Sequence, residues 1–165
     1  LDVDLDQVSL TFGVPSAAYF NTAMSEAAPF RSDDRSMPAE MARSVVGTVM
    51  KVLGVQVTGG STTVADSFEK LRAAGAAARE TLKAAAAART GHDTAALKTE
   101  RGQVILPDGQ SISYQDLAQE AATMTAPSGI ELRPASAWRM LGKDVQRTDI
   151  VAKSTGQIEY GIDLR

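Results

Sequence analysis

Two segments near the ends of the chain alternate hydrophobic and polar residues with the period of a β-strand. Successive side chains of a strand point to opposite faces, so each alternation predicts a half-buried strand. The strand predicted near the start covers 8–12 and ends before Gly13, and the one near the end covers 158–162. Their inward positions are Val8, Leu10 and Phe12 in the first segment and Ile158, Tyr160 and Ile162 in the second.

Two longer segments repeat apolar residues every three or four positions, which is the period of a helix. The first begins after a possible N-cap at Ser36 and stops at Gly54, and the second stops at Gly91. Alanine dominates the second helix over 73–88, which favours helix formation and gives a smooth surface suited to close packing. The apolar positions are Met41, Val45, Val49, Val52 and Leu53 in the first helix, and Val64, Phe68, Leu71, Gly75, Ala78, Leu82 and Ala85 in the second.

A hairpin followed by a short helix is predicted over 102–124. Asp108-Gly109 between two apolar runs is a hairpin turn signal, and Pro107 predicts that the first strand lies at a sheet edge. Ser113 can cap a helix from Tyr114 to about Met124. The predicted fold class is therefore α+β, with a long alanine-rich helix and further helices packed with short strands or hairpins.

Composition narrows the range of functions. Hydrophobic residues make up 44% and charged residues 22% of the 165 residues, as in an ordinary globular domain. The net charge of −3 gives no basis for nonspecific nucleic-acid binding. Cysteine is absent and His92 is the single histidine, which argues against disulfides, thiolate metal sites and a Ser-His-Asp triad. No segment approaches the roughly 20 apolar residues that a transmembrane helix needs.

The best candidate for ligand binding is the segment Thr58-Gly59-Gly60-Ser61-Thr62-Thr63, immediately before the alanine-rich helix. Paired glycines let the backbone approach a ligand closely, and a helix start presents unpaired N–H groups with partial positive charge. The hydroxyls add further donors. Such a loop can hold a phosphate or another anionic cofactor group.

The same segment also has an interpretation that needs no ligand. The glycines can simply turn the chain, while Thr63 and Asp66 match the spacing of a helix capping box. The loop is neither a Walker A motif nor a dinucleotide fingerprint, because the lysine and third glycine of those motifs are missing.

The other polar and aromatic candidates have structural interpretations. His92 is predicted to be a solvated histidine at a helix end, and Trp138, Met41, Met50 and Met140 are predicted core residues. The basic residues of the alanine-rich helix alternate with acidic ones, which predicts a solvated face. They are Lys70, Arg72, Arg79, Lys83 and Arg89.

Two distant segments resemble one enzyme family. The segment 56–64, followed by 71–82, resembles the molybdopterin-binding subunit of molybdenum hydroxylases, the xanthine dehydrogenase and aldehyde oxidase family. Within it, the likeness is closest to the branch of the isoquinoline 1-oxidoreductase beta subunit and related aldehyde dehydrogenases. The segment 141–156, with 160–163, resembles the part of those enzymes that leads into their hammerhead α/β domain. Both motifs occur in the expected order.

The resemblance implies a cofactor, partners and a location. The cofactor would be molybdopterin, commonly the cytosine dinucleotide form in bacteria, and the reaction would hydroxylate aldehydes or N-heterocycles with water-derived oxygen. A small iron–sulfur subunit would take the electrons, and the location would be periplasmic or membrane-associated. In the family, this loop contacts the pterin or its phosphates. The resemblance therefore implies that the cofactor-binding residues of this chain are Thr58, Gly59, Gly60, Ser61 and Thr62.

The departures from the family pattern indicate an internal fragment of the large subunit. Its Gly-Gln-Gly loop and catalytic glutamate have no counterpart here, so the resemblance assigns no catalytic residue. By this likeness, 1–141 belongs to the molybdopterin-binding lobe, with a possible insertion at 20–53, and 142–165 leads into the hammerhead-like domain. The other partner would be the remainder of the same large subunit.

Two expectations follow for the chain alone. It should retain no molybdopterin and catalyse no turnover, because a large dinucleotide needs walls from several segments. The alternative is a non-enzymatic interaction module that uses the alanine-rich helix as a docking face.

Overall fold

The computed structural model describes residues 1–9, 11, 13–14, 16–26, 31 and 33–164. Helices and a small antiparallel sheet make up this part of the chain, which confirms the α+β class. The four α-helices are α1 (Met37–Val52), α2 (Thr62–Thr90), α3 (Tyr114–Ala122) and α4 (Ile150–Ser154), and the three strands are β1 (Lys98–Glu100), β2 (Gln103–Ile105) and β3 (Ser111–Ser113). Short 3-10 turns connect them, at Leu5–Gln7, Ala17–Tyr19, Ala23–Glu26, Thr94–Ala96, Ala135–Ala137 and Gly161–Asp163.

Helix α2 is the longest element, and its predicted end is confirmed. Gly91 has φ 75°, a left-handed conformation that glycine adopts without a steric penalty. Its N–H donates to the Ala87 carbonyl at 2.8 Å, which satisfies one of the last carbonyls of the helix. The 29-residue length follows from the run of alanines and other strong helix formers.

The predicted hairpin is confirmed, but its place in the sheet is not. Strand β2 pairs with both β1 and β3, so it is the central strand rather than an edge strand. Pro107 lies in the turn beyond the end of β2, where its missing N–H removes no ladder bond. The turn closes through a 2.8 Å bond from the Leu106 N–H to the Gln110 carbonyl. No sequence signal predicts strand β1.

The hydrophobic core lies where α2 meets the sheet and α3. Its fully buried members are Ala85, Ala86, Val104 and Leu117. The alanines let the helix approach the sheet closely, in agreement with the smooth surface that the sequence predicts. Ser113 caps α3 as predicted, since its Oγ accepts from the Asp116 N–H at 3.1 Å.

Both terminal strand predictions are wrong in the described residues. Val8, Ser9 and Thr11 are not in a strand, while Leu10 and Phe12 lie outside the described residues. The segment 157–160 is irregular, and Gly161–Asp163 forms a 3-10 turn. A strand requires a partner for its backbone groups, and the only sheet of the described residues contains neither segment.

Two predictions about individual side chains are also wrong. Arg79, predicted to lie on a solvated face, is buried, and its Nε donates to Glu80 at 2.8 Å. Met41, predicted to be a core residue, is 65% exposed. Trp138 is half-buried, with its ring in edge contact with Phe68 at 5.9 Å between centroids.

Candidate functional site

The predicted loop lies on the surface, at the start of α2. Thr58, Gly59, Gly60 and Ser61 are exposed, and Thr62 is half-buried. A Cβ atom added at either glycine would meet no other atom within 4 Å, so the space beside the loop is open. The bend is therefore not sealed within the hydrocarbon packing of the described chain.

The backbone of this loop is in a conformation that favours glycine. Gly60 has φ 56°, and Ser61, which precedes the first helical residue, is left-handed as well, at φ 60° and ψ 25°. An L-residue such as Ser61 occupies this region at a cost, usually where the surrounding structure requires it. The Ser61 side chain makes no capping hydrogen bond.

The N–H groups of the loop are partly satisfied within it. The Gly59 N–H donates to Thr62 Oγ1 at 3.3 Å, and the Thr63 N–H to Thr58 Oγ1 at 3.4 Å. The Thr62 N–H donates to the Gly59 carbonyl at 3.2 Å. Within the described residues, the N–H groups of Gly60 and Ser61 have no acceptor. These two amides are available to a ligand at the positive end of the helix.

The capping box predicted for Thr63 and Asp66 does not form. Helix α2 already begins at Thr62, and Asp66 Oδ1 instead accepts from Thr22, from its N–H at 3.1 Å and from its Oγ1 at 2.9 Å. The ammonium of Lys70 pairs with Asp66 Oδ2. Burial would raise the pKa of Asp66, but the hydrogen bonds from Lys70 and Thr22 lower it below its usual value. The carboxylate thus ties the chain before α1 to α2.

A cleft of about 590 Å³ adjoins the loop, between the segment 18–21 and the first turns of α2. Its walls are mainly apolar, and Thr58 and Thr63 are the members of the predicted segment that line it. Lys70 lies in this wall with its ammonium 3.9 Å from the centroid of the Phe20 ring and 3.1 Å from the Phe20 carbonyl oxygen. The Lys70 charge is already paired with Asp66, so the mainly apolar cleft suits the apolar or ring portion of a ligand rather than its anionic group. The wall includes Tyr19, Asn21, Gln56, Thr58, Lys70 and Leu71.

Sequence reasoning missed the segment that holds this loop. Asn21 is buried, and its side-chain amide reaches Val57, Thr62 and Thr63. These contacts join residues about forty positions apart, and no local sequence pattern predicts them. An asparagine in an irregular segment normally indicates a turn, and the sequence predicts nothing more for Asn21.

No metal centre emerges from the described residues. They contain no group of three or more His, Asp or Glu side chains placed to hold an ion. His92, predicted to be solvated, is half-buried, and its Nδ1 is shielded from solvent without a partner in the described structure. Of the helices described, none is both long and apolar enough to cross a membrane.

Three curated proteins resemble this chain, and all carry names of oxidoreductases. A nicotinate dehydrogenase subunit of Pseudomonas putida is 28% identical over 135 residues, covering 81% of this chain and 11% of that protein. A membrane-bound aldehyde dehydrogenase (pyrroloquinoline-quinone) of Gluconacetobacter polyoxogenes is 32% identical over 118 residues, covering 68% and 15%. The beta chain of isoquinoline 1-oxidoreductase from Brevundimonas diminuta is 32% identical over 146 residues, covering 68% and 19%.

The chain spans between 11% and 19% of the length of these relatives. No family model matches it, and no solved structure does. The three similarities support the molybdenum hydroxylase family that the two sequence motifs indicate, without singling out one branch of it.

Proposed function

We propose that this chain is part of the large, molybdopterin-binding subunit of an oxidoreductase that hydroxylates aldehydes or N-heterocycles with water-derived oxygen. Support comes from the two motifs and from the likeness to a nicotinate dehydrogenase, an aldehyde dehydrogenase and an isoquinoline oxidoreductase. Two of those relatives are named as subunits, which supports an assembly with other chains.

The observation that carries the proposal is the exposed loop at the start of α2, where the amides of Gly60 and Ser61 are unpaired and the space beside the glycines is open, with a cleft that reaches Thr58 and Thr63. These residues fit the anionic part of a cofactor, because a phosphate oxygen accepts such N–H donors and is stabilised by the helix dipole. A side chain at Gly60 would project into the space that the ligand needs.

Each residue of the loop has a distinct part in this proposal. The amides of Gly60 and Ser61 and the hydroxyls of Thr58 and Thr62 would bind a phosphate or pterin oxygen, and Gly59 would leave room for its approach. The cofactor, when bound, supplies the molybdenum centre at which the substrate is oxidised. The loop offers no side chain that titrates near neutral pH, so its part is binding and orientation rather than proton transfer.

The proposal includes the assembly around the chain. The remainder of the large subunit would form the other walls of the cofactor site, and an iron–sulfur subunit would accept the electrons. A periplasmic or membrane-associated location belongs to the same proposal. The isolated chain is expected to retain no cofactor, because a few hydrogen bonds do not offset the lost freedom of a large ligand.

The decisive experiment compares two glycines of the same helix in the intact parent subunit. Gly60→Val and Gly91→Val each place a β-branched residue at a positive φ with nothing within 4 Å, one at each end of α2. Both substitutions strain the backbone, by on the order of 1–3 kcal/mol. Only Gly60→Val also obstructs the loop, so it alone should lower the molybdenum content of the purified subunit.

Metal analysis measures the molybdenum, and absorbance after extraction identifies the organic cofactor. The second measurement matters because the name of one relative carries pyrroloquinoline quinone. Equal molybdenum contents in the two variants would rule out the loop as a cofactor site. A quinone in place of a pterin in the wild-type parent would contradict the cofactor assignment.

A further inference from the structure

Asn21 makes the densest set of polar contacts at the start of α2. Its side chain is buried within the segment that packs beside this helix. Its Nδ2 donates to the Val57 carbonyl at 2.8 Å and lies 3.1 Å from Thr62 Oγ1 and 3.3 Å from Thr63 Oγ1. Its backbone N–H donates to the Val55 carbonyl at 2.8 Å. One residue therefore contacts the chain on both sides of Gly59-Gly60.

The orientation of the Asn21 side-chain amide is fixed by two backbone partners, one of which can only donate a hydrogen bond and one of which can only accept. Oδ1 accepts from the backbone N–H of Ala23 at 3.0 Å, and an N–H can only donate. The Val57 carbonyl on the other side can only accept. If the amide were reversed, its NH2 group would face the Ala23 N–H and its oxygen would face the Val57 carbonyl, and neither pair could form a hydrogen bond. Nδ2 is consequently the group that faces the two threonines.

This orientation decides what the threonine hydroxyls can offer. One Nδ2 proton is taken by the Val57 carbonyl, and the other is shared between the Thr62 and Thr63 oxygens. Each hydroxyl therefore accepts from Asn21 and keeps its own proton to donate. In the part of the chain that the structure describes, neither proton has an acceptor, so each is available to an anion.

We propose that Asn21 is a positioning residue for the loop at 58–62, and this inference rests on the proposed function. It holds the loop against α2 and orients the Thr62 and Thr63 hydroxyls so that their protons can be donated to an anionic cofactor group. The selectivity of the site for an acceptor ligand would then depend on a side chain that does not itself touch the ligand.

The test uses Asn21→Leu in the intact parent subunit, because leucine has a similar size and adds no charge. We expect the affinity of the site for the cofactor to fall about tenfold, as for the loss of one hydrogen bond from a positioned hydroxyl to a charged group, and the molybdenum content of the purified subunit to fall with it. We also expect hydrogen exchange of the hydrogen-bonded loop amides, those of Gly59, Thr62, Thr63 and Val64, to rise about tenfold, because the loop loses its tie to the segment at 21. Exchange in β2 and α3 should stay unchanged and serves as the reference for the fold.

Thr22→Val is the matched control, since it removes one hydrogen bond to Asp66 from the same turn without touching the loop hydroxyls. If Thr22→Val and Asn21→Leu lower molybdenum content equally, Asn21 is only structural and the inference is wrong. Unchanged exchange of the amides of Gly59, Thr62, Thr63 and Val64 in Asn21→Leu overturns it as well. Should β2 and α3 also exchange faster, Asn21→Ala, a smaller residue that removes the amide and adds no bulk, replaces the leucine variant under the same criteria.

A double-mutant cycle with Thr62→Val separates positioning from general destabilisation. If Asn21 acts through the Thr62 hydroxyl, Asn21→Leu should lower molybdenum content much less in the Thr62→Val background than in the wild type. Additive losses would contradict the inference. A wild-type parent without molybdenum would contradict the proposed function instead, while the exchange measurement still decides whether Asn21 holds the loop.

Discussion

Polar side chains that reach across long stretches of sequence hold this chain together at the scale of single residues. Arg43 is buried on α1 and donates to the carbonyls of Glu26 at 3.0 Å and Arg31 at 2.8 Å. Arg133 donates to Asp2 near the start of the chain, through Nη2 at 2.7 Å. The buried Asp2 carboxylate stabilises the fold only while Arg133 is present and Asp2 itself is ionised.

The Asp2 carboxylate should make the stability of the chain depend on pH under acidic conditions. Burial would raise its pKa, but hydrogen bonds from Arg133 and Thr99 hold the pKa at about 2, below the ordinary 3.8. A carboxyl whose pKa is lower in the folded state stabilises the fold at pH values above 3.8. This contribution is lost as the pH falls through about 2. Asp2→Asn should therefore destabilise the chain by about 1 kcal/mol at neutral pH, allowing for the solvent exposure of Arg133.

Urea denaturation followed by circular dichroism between about pH 2 and pH 7 measures this dependence. The free energies of unfolding of wild type and Asp2→Asn should converge toward the acidic end of the range. Asp144→Asn removes the same charge from an exposed carboxylate and is the matched control for the change in net charge. A constant difference between Asp2→Asn and wild type at every pH would show that titration of Asp2 is not the cause.

At the scale of elements, the sequence predicts those helices and hairpins that begin, turn or end at residues with a local capping or turn preference. Gly91 ends α2, Ser113 caps α3, and Asp108-Gly109 turns the hairpin, each through a bond within a few residues. Alternation over 158–162 is a weaker signal, because a strand forms only if another strand pairs with it. The place of a strand within a sheet also depends on its partners. Strand β2 is central because it pairs with β1 at 98–100, and Pro107 gives no information about that pairing.

The candidate site divides in the same way. The glycines, the hydroxyls and the helix start are readable at 58–63, because they are consecutive in the sequence. The contacts of Asn21 and of Asp66 depend on the packing of the segment at 16–26 against α2, which joins residues more than forty positions apart. Asp66 matches a local capping pattern but bonds to Thr22 instead, so here a tertiary contact replaces the local one.

Close packing of α2 predicts different effects for two alanines on the same helix. Ala86 is fully buried against the sheet and α3, while Ala88, further along the helix, is exposed. Leucine has nearly the helix propensity of alanine, so a difference between the two leucine variants reports packing. Ala86→Leu should lower the free energy of unfolding by about 1–3 kcal/mol, and Ala88→Leu should change it by less than about 0.5 kcal/mol. Equal losses in urea denaturation would show that α2 does not pack through Ala86.

At the scale of the whole molecule, α1 differs from an ordinary surface helix because its apolar face is exposed to solvent. Its buried residues are Ala39 and Arg43, while its apolar stripe faces solvent. An amphipathic helix normally buries such a stripe. The stripe comprises Met41, Val45, Val49 and Val52, each at least half exposed. One face of the alanine-rich half of α2, by contrast, packs against the sheet and α3 through Ala85 and Ala86.

This stripe should make the 165-residue chain self-associate when it is studied alone, because contiguous exposed apolar surface is stabilised by removal from water. Val45→Lys with Val49→Lys places two charges in the middle of the stripe and should shift the chain toward the monomer. Ser128→Lys with Ser136→Lys is the matched control, since it adds the same charge to exposed positions outside α1. Light scattering on size-exclusion chromatography at several concentrations measures the mass of each variant.

If the control pair dissociates the chain as well as the valine pair does, net charge and not the stripe drives association. A wild-type chain that is monomeric at every concentration would remove the basis of the prediction, because the apolar face of α1 would then tolerate water without a partner.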